Sequence, residues 1–280
     1  MRPDARQTEG EAWARRELEA LRAERFSPAA LQAFLGASFR RSEQTRLKRP
    51  LLVRQARRWS LAGGIAWIGL AGLGREPFRR RLGYGMAWWG AVAAMLEWHL
   101  GMVETEEGVP RQLGPADALT LSRAWLVPVV ADDLDPVSVL AAGATDLLDG
   151  PIARATRPTR AGRDLEGLVD AAVAVAALRT GVRTGRLSQR VAGLELARQA
   201  SGGAFALAEY FGRIRRPSET VIGAGRMAAP LRIAGLTLAG AGRKGAGEGL
   251  LAAGSLTSLM VAAARLSALE TSGPPPDALT

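Results

Sequence analysis

Two pairs of carboxylates in one short stretch are the residues of this chain best suited to chemistry. Asp146 and Asp149 are three positions apart, and Glu166 and Asp170 are four positions apart. If both stretches are helical, each pair lies on one helix face. Apolar sequence flanks both pairs, and acidic side chains are costly beside membrane-like segments, so the pattern indicates a functional site. Oxygen donors of this kind suit Mg²⁺ or Mn²⁺.

Small and basic residues beside the carboxylates extend this pattern. Gly150 follows the first pair directly, Ala153 and Arg154 come next, and Gly162 precedes the second pair. In this order the residues resemble the signature of the CDP-alcohol phosphatidyltransferases, D-x2-D-G-x2-A-R-x8-G-x3-D-x3-D. The first half of the signature, from its first Asp to its Arg, is matched at every fixed position.

The second half of the signature departs from the family in two places. Seven residues separate Arg154 from Gly162, where the family has eight, and Glu166 stands at the position of the third Asp. Because Glu is one methylene longer than Asp, the geometry of a bound metal is expected to shift by about 1 Å, which can reduce the rate.

A segment before the first pair also resembles family sequence. Residues 115–123 share Leu119, Thr120 and Arg123 with the family's P-N-x-L-T-x-x-R, and Asp117 replaces the Asn. Thr and Arg near a helix start are also ordinary capping and interface residues, so this segment alone assigns no role.

The resemblance implies an activity. A substituted phosphate would pass from a CDP-alcohol, with CDP-diacylglycerol as the expected donor, to an acceptor hydroxyl, and CMP would be released. Asp170 is the expected general base, and it shares a Mg²⁺ or Mn²⁺ site with the other acidic residues of the motif. The expected metal ligands are Asp146, Asp149, Glu166 and Asp170.

Four further residues are expected to contact the substrates. Gly150 and Ala153 are small and would let the nucleotide lie against the helix, and Arg154 would pair with the diphosphate. Arg226 lies in residues 225–230, which resemble a basic segment between late helices of the family, and it would bind an anionic group. A snorkelling interface side chain is an equally good interpretation of Arg226. Glycerol phosphate, inositol phosphate, serine and another lipid alcohol all remain open as the acceptor, and the resemblance also allows a homodimer.

Composition limits the other classes of function. The 280 residues contain no Cys and a single His, His99, so thiolate sites, disulfides and a Ser-His-Asp triad are disfavoured. The net charge of +10 fits either nucleic acid or the anionic face of a membrane. Basic residues are not interleaved with aromatic ones, and the apolar runs favour the membrane, so we expect no nucleic-acid partner.

The distribution of charge predicts four segments. Residues 1–57 are expected to form a soluble, basic helical arm on the cytoplasmic side, and residues 58–104 one or two additional apolar helices. Residues 105–270 resemble the family's six-helix catalytic core, and residues 271–280 are expected to be disordered. The predicted fold is therefore an all-α, multi-pass protein of the cell membrane whose active site faces the cytoplasm. The predicted core helices are 117–132, 136–154, 163–182, 188–212, 222–241 and 247–269.

Two other functions stay open at this level. The Glu substitution and the shortened spacer are compatible with a catalytically impaired membrane scaffold of the same fold. Carboxylates inside a membrane can also serve a cation transporter, although the Gly, Ala and Arg of the motif have no role in a cation path. Release of CMP in the presence of metal distinguishes the enzyme from both.

Overall fold

The structure, a computed structural model, describes residues 8–105, 107–156, 159–210 and 219–270, except for the side chains of residues 153, 154, 163, 164, 209, 210, 219–227 and 265–270. Within these ranges the chain forms ten α-helices and one 3-10 helix and contains no β-strand, so the all-α prediction is confirmed. The helices are α1 (Glu9–Ala23), α2 (Pro28–Lys48), α3 (Pro50–Gly72), α4 (Leu82–Trp98), the 3-10 helix (Leu100–Met102), α5 (Pro115–Asp132), α6 (Pro136–Thr156), α7 (Arg160–Arg183), α8 (Gln189–Tyr210), α9 (Glu219–Gly240) and α10 (Lys244–Glu270).

The six helices predicted for the core correspond to α5–α10, and each observed end lies within three residues of the predicted one.

Three of these helices begin with the same N-cap, in which a side-chain oxygen accepts a hydrogen bond from the amide three residues later. Asp135 caps α6 in this way at 2.8 Å, Thr159 caps α7 at 2.9 Å, and Ser188 caps α8 at 3.4 Å.

The basic N-terminal arm is helical and is held against the rest of the chain. Thr8 and Glu11 form a capping box at the start of α1, and Ser27 caps α2 through the amide of Ala30 at 3.2 Å. Further along, the Ser42 hydroxyl donates to the Glu97 carbonyl at 3.2 Å. The arm therefore makes specific contacts with α4 in addition to any contact with a lipid surface.

Residues 58–104 contain most of α3 and all of α4, which pack through reciprocal contacts between glycine and tryptophan. A Cβ atom on Gly63 would lie 2.3 Å from the Trp89 ring, and one on Gly85 would lie 2.2 Å from the fully buried Trp67 ring. Both glycines are thus required for the indoles to pack this closely against the opposite helix. The Trp125 indole of α5 donates to the Gly63 carbonyl at 2.9 Å and ties α5 to this pair.

The chain divides into two compact units. The first consists of Met1–Val129 and Thr145–Ala172, and the second of Val130–Ala144 and Val173–Thr280. All four carboxylates of the motif belong to the first unit. The division into four segments made from the sequence stays a prediction.

The second unit is packed through small residues. A Cβ atom on Gly235 of α9 would lie 2.6 Å from the backbone nitrogen of Leu251, and one on Gly247 of α10 would lie 2.6 Å from that of Ala239. The two backbones are therefore in direct contact, an arrangement typical of helices that associate in lipid. A buried Glu195 accepts a 2.7 Å hydrogen bond from the Ser255 hydroxyl in the same unit.

One segment within the described ranges, Lys244–Ala264, is long and apolar enough to cross a membrane. It overlaps the last of the predicted core helices. Large apolar side chains are also exposed along α3, among them Leu61, Ile65 and Ile68. The multi-pass topology stays a prediction.

Candidate metal centre

Segments of three helices, all within the first unit, bring the acidic residues of the motif together. α6 carries Asp146 and Asp149 near its C-terminal end, and α7 carries Glu166 and Asp170 in its second and third turns. The spacings of three and four place each pair on one helix face, as the sequence predicts. α5 lies beside both pairs and contributes Arg123.

Carboxylate oxygens of Asp146, Glu166 and Asp170 all lie within 4.8 Å of one another. Oxygen ligands lie roughly 2.0–2.6 Å from Mg²⁺ or Ca²⁺, so two ligands of one ion can be about 4–5 Å apart. The three side chains are partly exposed, and an ion can reach them from solvent. The distances, the hard oxygen donors and the access all fit a divalent cation such as Mg²⁺ or Mn²⁺.

Asp149, the fourth expected ligand, is placed differently. Its side chain is only 4% exposed, and its Oδ2 accepts hydrogen bonds from Arg123 at 2.7 Å and from the Thr120 hydroxyl at 3.1 Å. Within the described residues, the group of three converging carboxylates does not include it. The structure therefore brings three of the four expected ligands within range of one ion and pairs Asp149 with Arg123.

Arg123 is the central cation of this cluster. Its side chain is 1% exposed, and its three guanidinium nitrogens lie 2.9 Å from Asp146, 2.7 Å from Asp149 and 3.3 Å from Asp170. The rigid fork of arginine suits such a bridging position. Among the described side chains, one guanidinium lies beside four carboxylates, counting Glu166, so these residues carry more negative charge than Arg123 neutralises.

Arg123 and Thr120 are site residues that sequence reasoning did not assign. Both belong to the segment that resembles P-N-x-L-T-x-x-R, so a signal was present. It was weak because Thr and Arg are also common as capping and interface residues. Their role becomes visible only when α5 is packed against α6 and α7.

The motif glycine, Gly162, allows α7 to start close to α5. Thr159 donates to Asp117 Oδ1 at 2.7 Å, and Asp117 Oδ2 accepts from the amide of Gly114 at 2.7 Å. A Cβ atom on Gly162 would lie 2.6 Å from Asp117 Oδ1 and 2.9 Å from the Thr159 hydroxyl. Any larger residue would push the start of α7 away, and with it Glu166.

The expected substrate-binding residues are only partly described. Gly150 lies in α6, directly after Asp149, and is partly exposed. The side chains of Ala153, Arg154 and Arg226 lie outside the described part of the chain. Their expected contacts with the nucleotide, the diphosphate and an anionic group stay predictions.

An apolar cavity of about 300 Å³ lies next to the metal centre, between α4, α5 and α7. Its described lining is apolar except for Asp117 and Thr120, and the apolar part includes Trp88, Val92 and Leu165. Thr120 belongs both to this lining and to the hydrogen bonds of Asp149. An apolar cavity and the charged cluster therefore share Thr120 and lie next to each other.

No family model, curated protein or solved structure matches this chain. Its function is therefore inferred from the geometry of the site and from the resemblance of the motif.

Proposed function

We propose that this protein is an integral membrane transferase of the CDP-alcohol phosphatidyltransferase type. It transfers a substituted phosphate from a CDP-alcohol, with CDP-diacylglycerol as the donor, to an acceptor hydroxyl, and it releases CMP. The observation that carries the proposal is the convergence of Asp146, Glu166 and Asp170 beside Arg123, at the spacing of the motif. The site would face the cytoplasm from a multi-pass membrane domain.

The residues of the cluster fit the requirements of this reaction. A bound Mg²⁺ or Mn²⁺ would neutralise charge on the diphosphate. Asp146, Glu166 and Asp170 would hold that ion, and Arg123 keeps the carboxylates of α6 and α7 together. Since the cluster has surplus negative charge, binding of a divalent ion is electrostatically favourable.

Asp170 is suited to accept the proton of the acceptor. Its side chain is 36% exposed, so a hydroxyl group can approach it, whereas Asp149 is buried. The acceptor oxygen forms a bond to the phosphorus that carries the lipid, the bond from that phosphorus to the oxygen of CMP breaks, and the hydroxyl proton passes to the Asp170 carboxylate. CMP leaves with the bonding electrons of the broken bond.

Two features support a lipid donor in a membrane. The cavity beside the site is lined by apolar residues apart from Asp117 and Thr120, so it suits a hydrocarbon chain whose head group lies at the carboxylates. Exposed apolar side chains on α3 and the segment Lys244–Ala264 provide surface that lipid would cover. The basic arm suits the anionic lipids of the cytoplasmic leaflet.

One observation favours a second candidate, a membrane scaffold of the same fold without catalysis. Arg123 contacts each of Asp146, Asp149 and Asp170, so these carboxylates are held together without a metal. A scaffold needs no more than this. It would release no CMP, whereas the transferase must.

The experiment is an acceptor screen. The purified full chain in detergent is given CDP-diacylglycerol, Mg²⁺ or Mn²⁺ and each of glycerol phosphate, inositol phosphate, serine and a lipid alcohol in turn, and CMP is measured. We expect metal-dependent release with one class of acceptor. Failure to release CMP with every acceptor, from protein whose helical content is intact, would favour the scaffold.

A further inference from the structure

We propose, resting on the function proposed above, that the N-terminal arm is part of the catalytic unit because it positions α7. The contact is a buried network of Thr8, Glu11, Glu104 and Arg160, which we call the Arg160 clasp. Arg160 is the first residue of α7, the helix that carries Glu166 and Asp170. The clasp makes Glu11 and Arg160 positioning residues for the metal centre.

Arg160 joins three separate parts of the chain. Arg160 is only 4% exposed. Its guanidinium pairs with Glu11 of α1, donates to the Thr8 hydroxyl, and lies 3.5 Å from Glu104. Its backbone amide also donates to the Glu104 carbonyl at 3.0 Å. Both the side chain and the backbone at the start of α7 are thus fixed by residues outside the six-helix core.

The same residues cap α1, so the ends of two helices share one network. The Thr8 hydroxyl accepts from the amide of Glu11 at 3.2 Å and donates to Glu104 Oε1 at 3.0 Å. A Cβ atom on Gly10 would lie 3.0 Å from that Glu104 oxygen, which shows how closely α1 approaches the segment. Movement of α1 would therefore disturb the start of α7.

The segment that carries Glu104 is itself anchored on both sides. The Arg49 guanidinium donates to the carbonyls of Leu100 at 3.2 Å and Val103 at 3.0 Å. The Arg111 guanidinium donates to the Thr156 carbonyl at 2.6 Å, at the end of α6. The arm and this segment thus contact Thr156 and Arg160, on either side of the connection between the two halves of the motif. That connection is one residue shorter than in the family signature.

The clasp is close enough to the metal centre to set its geometry. Glu166 is six residues beyond Arg160 on the same helix, or about 9 Å along its axis at 1.5 Å per residue. Gly162, between them, lies so close to Asp117 that a Cβ atom would be 2.6 Å from its Oδ1. A tilt of the first turn of α7 would therefore carry Glu166 away from Asp146.

The test uses Glu11→Gln in the full chain. Gln can still serve in the capping box, so α1 keeps its start, while Arg160 loses one of its two charged partners and retains Glu104. Glu19→Gln is the matched control, because Glu19 pairs with Arg15 on the exposed side of the same helix. Three quantities are measured: hydrogen exchange of the amides of residues 160–170, the affinity for Mn²⁺ by electron paramagnetic resonance, and kcat and KM for CMP release.

We expect Glu11→Gln to speed exchange over residues 160–170 about tenfold and to weaken Mn²⁺ binding by about 10–100-fold, the usual range for a residue that orients a metal ligand. The loss in CMP release should fall on kcat, with KM for the donor unchanged. Glu19→Gln should change none of these. Faster exchange with unaltered Mn²⁺ affinity would reduce the clasp to a structural contact and overturn the proposal.

The readouts separate this proposal from the proposed function. If the wild-type chain binds Mn²⁺ but releases no CMP, the transferase is refuted and the Mn²⁺ affinities still decide the clasp. If the wild type binds no Mn²⁺, the metal centre is refuted, and the clasp with it, since no metal geometry is left to position. Unchanged exchange in Glu11→Gln overturns the clasp whatever the activity.

Discussion

The candidate metal centre and the Arg160 clasp are each built around one buried arginine, but their charges balance differently. At the clasp, Arg160 faces Glu11 and Glu104, and Arg49 also attracts Glu104. Among the described contacts of the clasp, two cations thus meet two carboxylates. At the metal centre, Arg123 is the one described cation that contacts Asp146, Asp149 and Asp170, and Glu166 lies beside them as a fourth carboxylate.

This difference separates a structural network from a binding site. A balanced buried network satisfies its own charges and gains nothing from a further ion. An unbalanced one with partly exposed carboxylates retains affinity for a divalent cation, and charge imbalance in a cleft is typical of functional sites. In the described part of the chain, two arginine-centred clusters thus lie in one unit, and of these two the metal centre is the one short of positive charge.

Replacing the two arginines gives the largest expected effects and tests this contrast directly. Arg123→Gln and Arg160→Gln should each lower the free energy of unfolding by about 3–5 kcal/mol, because each removes the arginine that pairs with carboxylates at a buried site. Saturating Mn²⁺ should stabilise Arg123→Gln more than the wild type, since the ion replaces the missing cation. When the Mn²⁺ concentration is 100 times its Kd, binding at one site raises the free energy of unfolding by about 2.7 kcal/mol.

Mn²⁺ should stabilise Arg160→Gln less than the wild type, because the clasp has no place for an ion and the metal centre is loosened. Thermal unfolding in detergent with and without Mn²⁺ measures both variants. Equal stabilisation of the two variants by Mn²⁺ would show that the two clusters do not differ in their need for a cation.

Two glycines of α7, Gly162 and Gly167, allow a similar comparison with smaller expected effects. Gly162→Ala places a Cβ atom 2.6 Å from Asp117 Oδ1, whereas a Cβ atom on Gly167 meets nothing within 4 Å. We expect Gly162→Ala to cost about 1–3 kcal/mol of stability from overpacking and to reduce CMP release at least tenfold. Gly167→Ala should be neutral or stabilising by about 0.5–1 kcal/mol, since Ala favours the helix. Similar losses of stability and CMP release in both variants would show that α7 is sensitive to any substitution, and would argue against a specific role for the contact with α5.

A substitution that fills the apolar cavity should have a smaller effect, confined to donors with long hydrocarbon chains. Val92→Trp should fill part of the space and raise KM for a long-chain CDP-diacylglycerol about tenfold, in line with the roughly 1–3 kcal/mol that one methylene is worth in an apolar pocket. A short-chain donor should be affected little. Val175→Trp, at an exposed position of α7, is the control. An equal rise in KM for both donors would place the hydrocarbon chain elsewhere.

The smallest expected change comes from Glu166→Asp, which restores the residue of the family signature. Because Asp is shorter by one methylene, the metal geometry should approach that of the family, and CMP release should persist or rise by a few-fold. The rate at saturating metal measures this. Complete loss of activity would mean that the position of α7 is adapted to Glu.

Local sequence predicted much of the fold because the signals were local. Caps such as Asp135 and Ser188 and the apolar runs between them fix where the core helices begin and end. The shared helix faces of the carboxylate pairs also follow from spacing alone. The exclusion of Asp149 from the converging group could not be predicted, because its partner Arg123 lies 26 positions away on another helix.

The clasp was invisible in the sequence for the same reason. Thr8 and Arg160 are 152 positions apart, and nothing in either local sequence shows that they meet. Thr8 and Glu11 have the spacing of a capping box, which already explains their types. Their second role, as partners of Arg160, arises only from the packing of α1 against the segment that carries Glu104.

The most direct test of the metal centre compares the wild type with Asp170→Asn. Both are purified as full chains and assayed for CMP release from CDP-diacylglycerol with the best acceptor, across a titration of Mn²⁺. We expect release by the wild type that requires Mn²⁺, and a loss of about 10²–10⁴-fold in Asp170→Asn, the range for removing a general base. Release that is independent of Mn²⁺, or that survives in Asp170→Asn at the wild-type rate, would contradict the account.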